Sequence, residues 1–387
     1  MIGAGPAGSS LALRLARQGR SVLLVDGATF PREKTCGEGL MPAGADELRS
    51  LGLAHLLDQG APFRGLRYRL PDGTRAESDF PAGQVGTGLR RALLDEALVS
   101  ACQAEPELEV RLRTWVRELE LPGDGGSLPR ARVGEEWVEA ELVVGADGLR
   151  SPVRRLAGLE APAPKLERFG VGGHFRHAPL GDPVVEVFVG PGWELYTTPV
   201  AEDVTNAALL TDRARLEGLR GDLEGGLRGL LREAGGRCEA LAAGESLHRV
   251  RALGPLALQA TRAHAERLIL VGDAAGALDP ITGEGVSIGL VTSRIASEVI
   301  AEAFAAGDLS ARALASWTRR RRAEIAPLAR FTSALLFLAR RPRHAARVIR
   351  SLAEAPGTFG RLLGVAAGTA PISSISVRDG VRLLIGV

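Results

Sequence analysis

At 387 residues the chain is long enough for an α/β domain plus a second layer, and its 45% hydrophobic and 24% charged residues exclude a disordered or fibrous protein. A formal charge of +2 gives no global field to hold nucleic acid, despite the arginine surplus behind a pI near 8.6, so the expected partner is a small or uncharged molecule. Three scattered cysteines, Cys36, Cys102 and Cys238, exclude a disulfide framework or a zinc cluster; no metal is expected, and the setting read from them is reducing and cytoplasmic.

The chain opens as strand end, glycine turn and helix: Met1-Ile2, Gly3-Ala4-Gly5-Pro6-Ala7-Gly8, then an apolar-rich run closed by Gly19. Ser21 to Asp26 is a continuous apolar stretch suited to a buried parallel strand, which completes a βαβ unit. Residues 63–80 alternate around Pro71-Asp72-Gly73-Thr74 and predict a hairpin, followed by a helix through Ala101. Short strands over 108–144, joined at Pro122-Gly123-Asp124-Gly125-Gly126, predict a β-meander returning to the main sheet. Alternation from Arg168 to Leu210 predicts a separate antiparallel sheet, and Leu216 to Ala242 reads as helix. Leu268 to Asp273 repeats the strand-then-turn pattern before a helix from Gly285 to about Ala306, after which the chain is helical and arginine-rich. No segment reaches the roughly 18 apolar residues of a membrane span, and no signal peptide is read.

The expected fold is α/β: a doubly wound, mostly parallel Rossmann-like sheet with a β-meander, a smaller antiparallel substrate sheet and a C-terminal helical segment. The domains are a discontinuous cofactor domain (1–62, 88–160 and 255–305), a substrate domain (63–87 and 161–254) and a helical region (306–387).

Three motifs carry the chemistry. Gly3-x-Gly5-x-x-Gly8 puts glycines where a tight turn, a pyrophosphate and helix packing exclude a Cβ, and the helix N-terminus that includes Pro6 and Ala7 offers free N–H groups to phosphate. Asp26, at the end of the next strand, is placed to accept ribose hydroxyls. The second motif is Gly145-Ala146-Asp147-Gly148, and the third is Gly272-Asp273 followed by Asp279-Pro280-Ile281-Thr282-Gly283-Glu284-Gly285-Val286.

Together these resemble the three fingerprints of the FAD-dependent monooxygenase superfamily typified by p-hydroxybenzoate hydroxylase. Phe30 to Leu40 and Asp279 to Gly285 further resemble its geranylgeranyl reductase branch. The resemblance implies FAD as cofactor and NAD(P)H as a transient co-substrate. By it, Asp26 would hold the adenosine ribose, Arg91 the phosphates, Asp273 the ribityl or pyrophosphate region, and Gly285 with Val286 the pyrimidine side of the flavin. Pro280 and Gly283 would be the backbone nearest the ring, Cys36 and Gly37 would line the pocket beside it, Asp147 would support the motif linked to FAD and NAD(P)H, and Val116 joins the cofactor set. His174, Trp193 and Tyr196 are the substrate-pocket candidates; no catalytic base is assigned.

The branch's Tyr-x-Trp-x-Phe-Pro stretch is replaced here by Gly192-Trp193-Glu194-Leu195-Tyr196-Thr197-Thr198-Pro199, and the tryptophan signature of flavin halogenases is missing. The first expectation is therefore a monooxygenase acting on a hydrophobic aromatic, polyketide or isoprenoid substrate through a flavin C4a-hydroperoxide. A reductase of carbon–carbon double bonds is the alternative, and a flavin-free binding protein the second. Only Met1 and Ile2 precede Gly3, which leads to the expectation that the natural chain begins upstream. The late arginines around Leu335-Leu336-Phe337-Leu338 are a candidate for peripheral contact with anionic lipid.

Overall fold

Val22–Val25 pairs in parallel with Leu108–Arg111, and Val143–Gly145 in parallel with Leu268–Leu270, in the computed structural model, which describes residues 1–122 and 127–385. Ile2 joins these halves by bridging Val25 on one side and Gly145 on the other. Two residues thus fill the central slot of a five-position parallel array, held by Ile2 N donating to Val144 O at 2.8 Å and Gly3 N donating to Val25 O at 2.7 Å. The helices Pro6–Arg17, Arg91–Gln103 and Gly285–Ala305 pack on this sheet, while a three-stranded meander of Val116–Glu120, Arg130–Val133 and Glu136–Glu139 covers Val25 through Ala131 and Val133. The meander is shorter than expected, because Leu108–Arg111 belongs to the parallel sheet. Residues 123–126 of the expected turn lie outside the described residues.

The second sheet has eight strands. Phe169–Arg176, Val204–Thr211, Trp193–Pro199 and Val185–Gly190 run antiparallel in that spatial order; the Gly65–Arg69 and Arg75–Asp79 hairpin extends it through a parallel pairing of Leu66 with Val185. One face packs on helices Arg213–Leu219, Leu223–Ala234 and Arg237–Ala243. The sequence pattern reads these as one helix from Leu216 to Ala242. They are separate because the Asp222 carboxylate caps a new N-terminus at Gly225 N, and Gly235 and Gly236 turn the chain at φ +64° and +60°.

The other face of this sheet does not meet solvent. It packs on the C-terminal helices Ala311–Ala339, Pro342–Ala353 and Pro356–Ala366, through Leu66, Val187, Tyr196 and Leu210 against Val348, Ile349, Leu352, Leu362 and Leu363. A sheet buried on both faces explains its strings of consecutive buried residues, such as Trp193 to Thr198. Among the described residues, no helix is long and apolar enough to cross a membrane.

Candidate functional site

The three glycine motifs converge on one another. Gly3 has φ +105°, and a Cβ there would overlap the Ala146 carbonyl and stand 2.7 Å from Asp147 N, so the first loop lies directly on the second motif. A Cβ on Gly272, at φ +57°, would stand 2.8 Å from the Ala7 methyl, which sets the third motif on the first. Arg154, fully buried, ties the second to the third: its guanidinium donates to the carbonyls of Leu149 (2.7 Å) and Ala274 (3.2 Å). Asp147 holds its own loop, accepting from Val153 N at 2.9 Å and from the Ser151 hydroxyl, so it supports the site from behind.

Where the motifs meet, two helices begin without a side-chain cap: Pro6–Arg17, preceded by Gly5, and Gly285–Ala305, preceded by Glu284. Beside Gly5 the nearest atom to a built Cβ is Arg32 Nη2 at 3.7 Å, and beside Gly285 and Gly37 there is nothing within 4 Å. Unsatisfied N–H groups facing open space are what a diphosphate and a polar ring edge require. Asp26 accepts from Ala4 N and Ala28 N, both at 2.8 Å, which fixes its carboxylate at the strand end. Asp273 is exposed to the cleft yet deep in the fold, where desolvation raises its carboxyl against the pull of Arg91 and Lys34.

Arg91 is committed differently from expectation. Its guanidinium makes two 2.8 Å bonds to the buried Asp95, four residues on, and that pairing keeps it charged against burial. Arg32 then links Asp95 (3.4 Å) to Asp26 (3.3 Å) and is the arginine at the glycine loop, a role the sequence reading did not give it. Val116 points into the small cluster with Val25 and Val133; its neighbour Trp115, 62% exposed, lies over Gly27 beside Asp26.

Cys36 and Gly37 lie where the segment after the first βαβ unit crosses the eight-stranded sheet. Asn206 donates to Cys36 O at 2.7 Å, and burial pushes the Cys36 thiol up against the pull of Arg91. His174 shares the sheet row of Asn206 and hydrogen-bonds Glu38 Oε2 at 2.6 Å, while Glu38 Oε1 accepts from Arg91 N. Ligand atoms of Glu33, His174 and His248 lie within 4.8 Å of one another, but Arg90 already contacts His248 Nε2 (2.7 Å) and Glu33 (2.6 Å), so a cation occupies that junction.

An apolar pocket with about 100 Å³ of free volume lies between the sheet and the C-terminal helices. Tyr68 and Tyr196 form its sheet side, Leu335, Leu338, Val348 and Ile349 its helical wall, and Ile281 with Thr282 its inner end. Tyr196 donates to Ile281 O at 2.8 Å, joining the sheet to the loop that carries Pro280 and Gly283. Of the three pocket candidates only Tyr196 lines this space. Trp193 faces the opposite layer, stacked on Phe188 at 5.4 Å, because residues three apart on a strand point to opposite sides. His174 sits on Glu38, away from the pocket. The helical wall was not read from sequence at all.

Glu284 is 5% exposed, its Oε1 has no partner, and burial raises its carboxyl well above the usual 4.5. A folded-state value above the unfolded one means stability is full below the unfolded value and falls as pH rises toward the folded one. Glu284→Gln is therefore expected to flatten the loss of melting temperature from about pH 5 upward; an unchanged slope in thermal denaturation counts against a buried neutral carboxyl.

Residues 1–193 match the FAD binding domain family. The chain is 30% identical over 321 residues to a menaquinone reductase of Mycolicibacterium smegmatis, covering 78% of this chain and 75% of that protein. It is 30% identical over 338 residues to a digeranylgeranylglycerophospholipid reductase of Methanothrix thermoacetophila, covering 84% and 83%. A flavoprotein/dehydrogenase from Cytophaga hutchinsonii shares the fold with a TM-score of 0.81 at 20% identity, over 95% of this chain and 91% of that one. So does pqsL, a probable FAD-dependent monooxygenase from Pseudomonas aeruginosa, with a TM-score of 0.76 at 22% identity over 92% and 98%.

Proposed function

The chain belongs to the FAD-binding oxidoreductase family, and from that premise we propose that it is a reductase that saturates carbon–carbon double bonds in the isoprenoid chain of a lipid, with NAD(P)H as electron source. The observation that carries this reading is the apolar pocket, whose inner end is the Ile281-Thr282 turn of the loop expected to meet the flavin. Bound FAD supplies the two-electron chemistry. Gly5, Pro6 and Ala7 would cradle its diphosphate at the helix N-terminus, Asp26 its ribose, Asp273 the ribityl side, and Gly285 with Val286 the pyrimidine edge. The open space beside Gly5, Gly37 and Gly285 and the uncapped helices fit that group.

The pocket residues hold an extended hydrocarbon by burial alone, since its walls offer almost no polar surface beyond Glu194, Thr282 and the two tyrosines. The relatives named as reductases, at 30% identity over more than three quarters of this chain, favour reduction over oxygenation. Arg341, Arg343 and Arg347, beside the half-exposed Phe337, form a basic patch that suits contact with an anionic lipid surface.

Anaerobic turnover with a free polyprenol, which offers the flavin no electron acceptor but its double bonds, tests the reading. NAD(P)H oxidation is expected to continue without oxygen, with loss of one double bond per NAD(P)H. Consumption that stops without oxygen, and yields a product heavier by one oxygen atom, would establish the monooxygenase expected first from sequence.

A further inference from the structure

Glu194, which lines the apolar pocket, belongs to a polar cluster that the cofactor grip does not use. Arg168, Glu194 and Asp279 are 7%, 6% and 5% exposed. Arg168 Nη1 donates to Asp279 Oδ1 at 2.9 Å, and Nη2 donates to Glu194 Oε2. One guanidinium thus faces two carboxyl groups in a place nearly closed to water. With both ionised the cluster carries a net negative charge in a medium that solvates it poorly, so the stable arrangement retains one proton.

The hydrogen-bond inventory assigns that proton. Asp279 Oδ1 also accepts from Ile281 N at 3.0 Å, so two donors stabilise its anion. Glu194 has Arg168 alone, and its strand position turns it, with Tyr196, to the pocket. Burial raises the Glu194 carboxyl, Arg168 lowers it and Asp279 raises it further. The remaining groups near it are Tyr68, pushed up to about 12 by burial, and Tyr196, which burial also raises well above the usual 10; both are neutral. The residues that the C-terminal helices contribute to the pocket, from Phe331 to Ala366, carry no charge.

We propose that Glu194 is the acid that gives a proton to the substrate at the flavin end of the pocket. The proposal rests on the reductase reading. In the step, the π bond of the alkene breaks and two C–H bonds form: one carbon takes a hydride equivalent from reduced FAD, the other takes the Glu194 proton. The carboxylate, held by Arg168, regains its proton from solvent, and NAD(P)H restores the two electrons. Asp279 acts as a positioning residue, fixing Arg168 and capping the Pro280–Thr282 turn.

The test compares wild type, Glu194→Gln and Glu194→Asp as flavin-loaded proteins. Infrared spectroscopy at neutral pH is expected to show a protonated-carboxyl band in wild type that shifts in heavy water and is lost in E194Q. In anaerobic stopped flow, reduction of the flavin by NAD(P)H should be unchanged in E194Q. Reoxidation by a free polyprenol, whose double bonds are its sole electron acceptors, should slow about 100-fold or more, the range for loss of a general acid, with recovery in E194D. Binding of the same probe, read from the flavin spectrum, should be unchanged; a purely structural role would weaken it instead. Wild-type product formed in heavy water should carry one solvent deuterium per reduced bond. A wild-type spectrum without the band overturns the proposal whatever the turnover. Wild-type reoxidation matched by E194Q overturns it while leaving the reductase reading intact; wild type that never reoxidises with the probe removes that reading, and with it the step assigned to Glu194.

Discussion

Gly3→Val is expected to abolish retention of FAD and to lower folding stability by about 3 kcal/mol or more. The side chain meets two obstacles. Backbone at φ +105° is strained for a β-branched residue, and the new Cβ would overlap the Ala146 carbonyl, which cannot swing away as a flexible side chain does. Relief requires moving the first loop off the second motif, and Ile2 N to Val144 O and Ala146 N to Ile2 O are the bonds that such a movement breaks. Gly19 provides the control: its φ is +77°, but nothing lies within 4 Å of a Cβ, so Gly19→Ala should cost only the backbone strain, about 1 kcal/mol, and leave flavin retention intact. Chemical denaturation with flavin fluorescence measures both. Wild-type flavin content in the Gly3 variant would show that the loop is not held as described.

Ala345→Phe is expected to suppress turnover of long isoprenoid substrates while leaving reduction of the flavin by NAD(P)H unchanged. Ala345 is 7% exposed on the Pro342–Ala353 helix and lines the pocket. A phenyl group there displaces about four carbons of a bound chain, and at about 0.8 kcal/mol per buried methylene the loss is about 3 kcal/mol, or about 200-fold in kcat/KM. A substrate shortened by one isoprene unit should recover most of it. Steady-state kinetics across chain lengths is the measurement; an equal loss at every length would place the chain elsewhere.

How far these features could be read from sequence depended on whether their causes are local. The glycine loops and Asp26 were legible because a turn, a helix start and a strand end each demand particular residues within a few positions. Trp193 and Tyr196 were placed together, although their odd separation on one strand already puts them on opposite faces; parity was available and decisive. Arg91 and Asp95 stand four apart on a helix, so their pairing was readable too, whereas Arg32 reaches Asp95 across 63 positions and was not. The pocket wall was beyond reach for a similar reason. The pattern of Leu335, Leu338, Val348 and Ile349 says that these helices have an apolar side, and any apolar layer would satisfy it. Only tertiary structure shows that the layer is the substrate sheet, with a gap left between them.

That wall is one uninterrupted stretch, and it comes last. Every loop expected to grip the cofactor precedes Ala306, while the helical lining runs from Phe331 to Ala366. A growing polypeptide therefore has the loops expected to grip the cofactor, and the sheet side of the pocket, before it has the helical wall that closes it. The same division leaves the girth of the pocket to be set by helices that lie outside the loops expected to grip the cofactor.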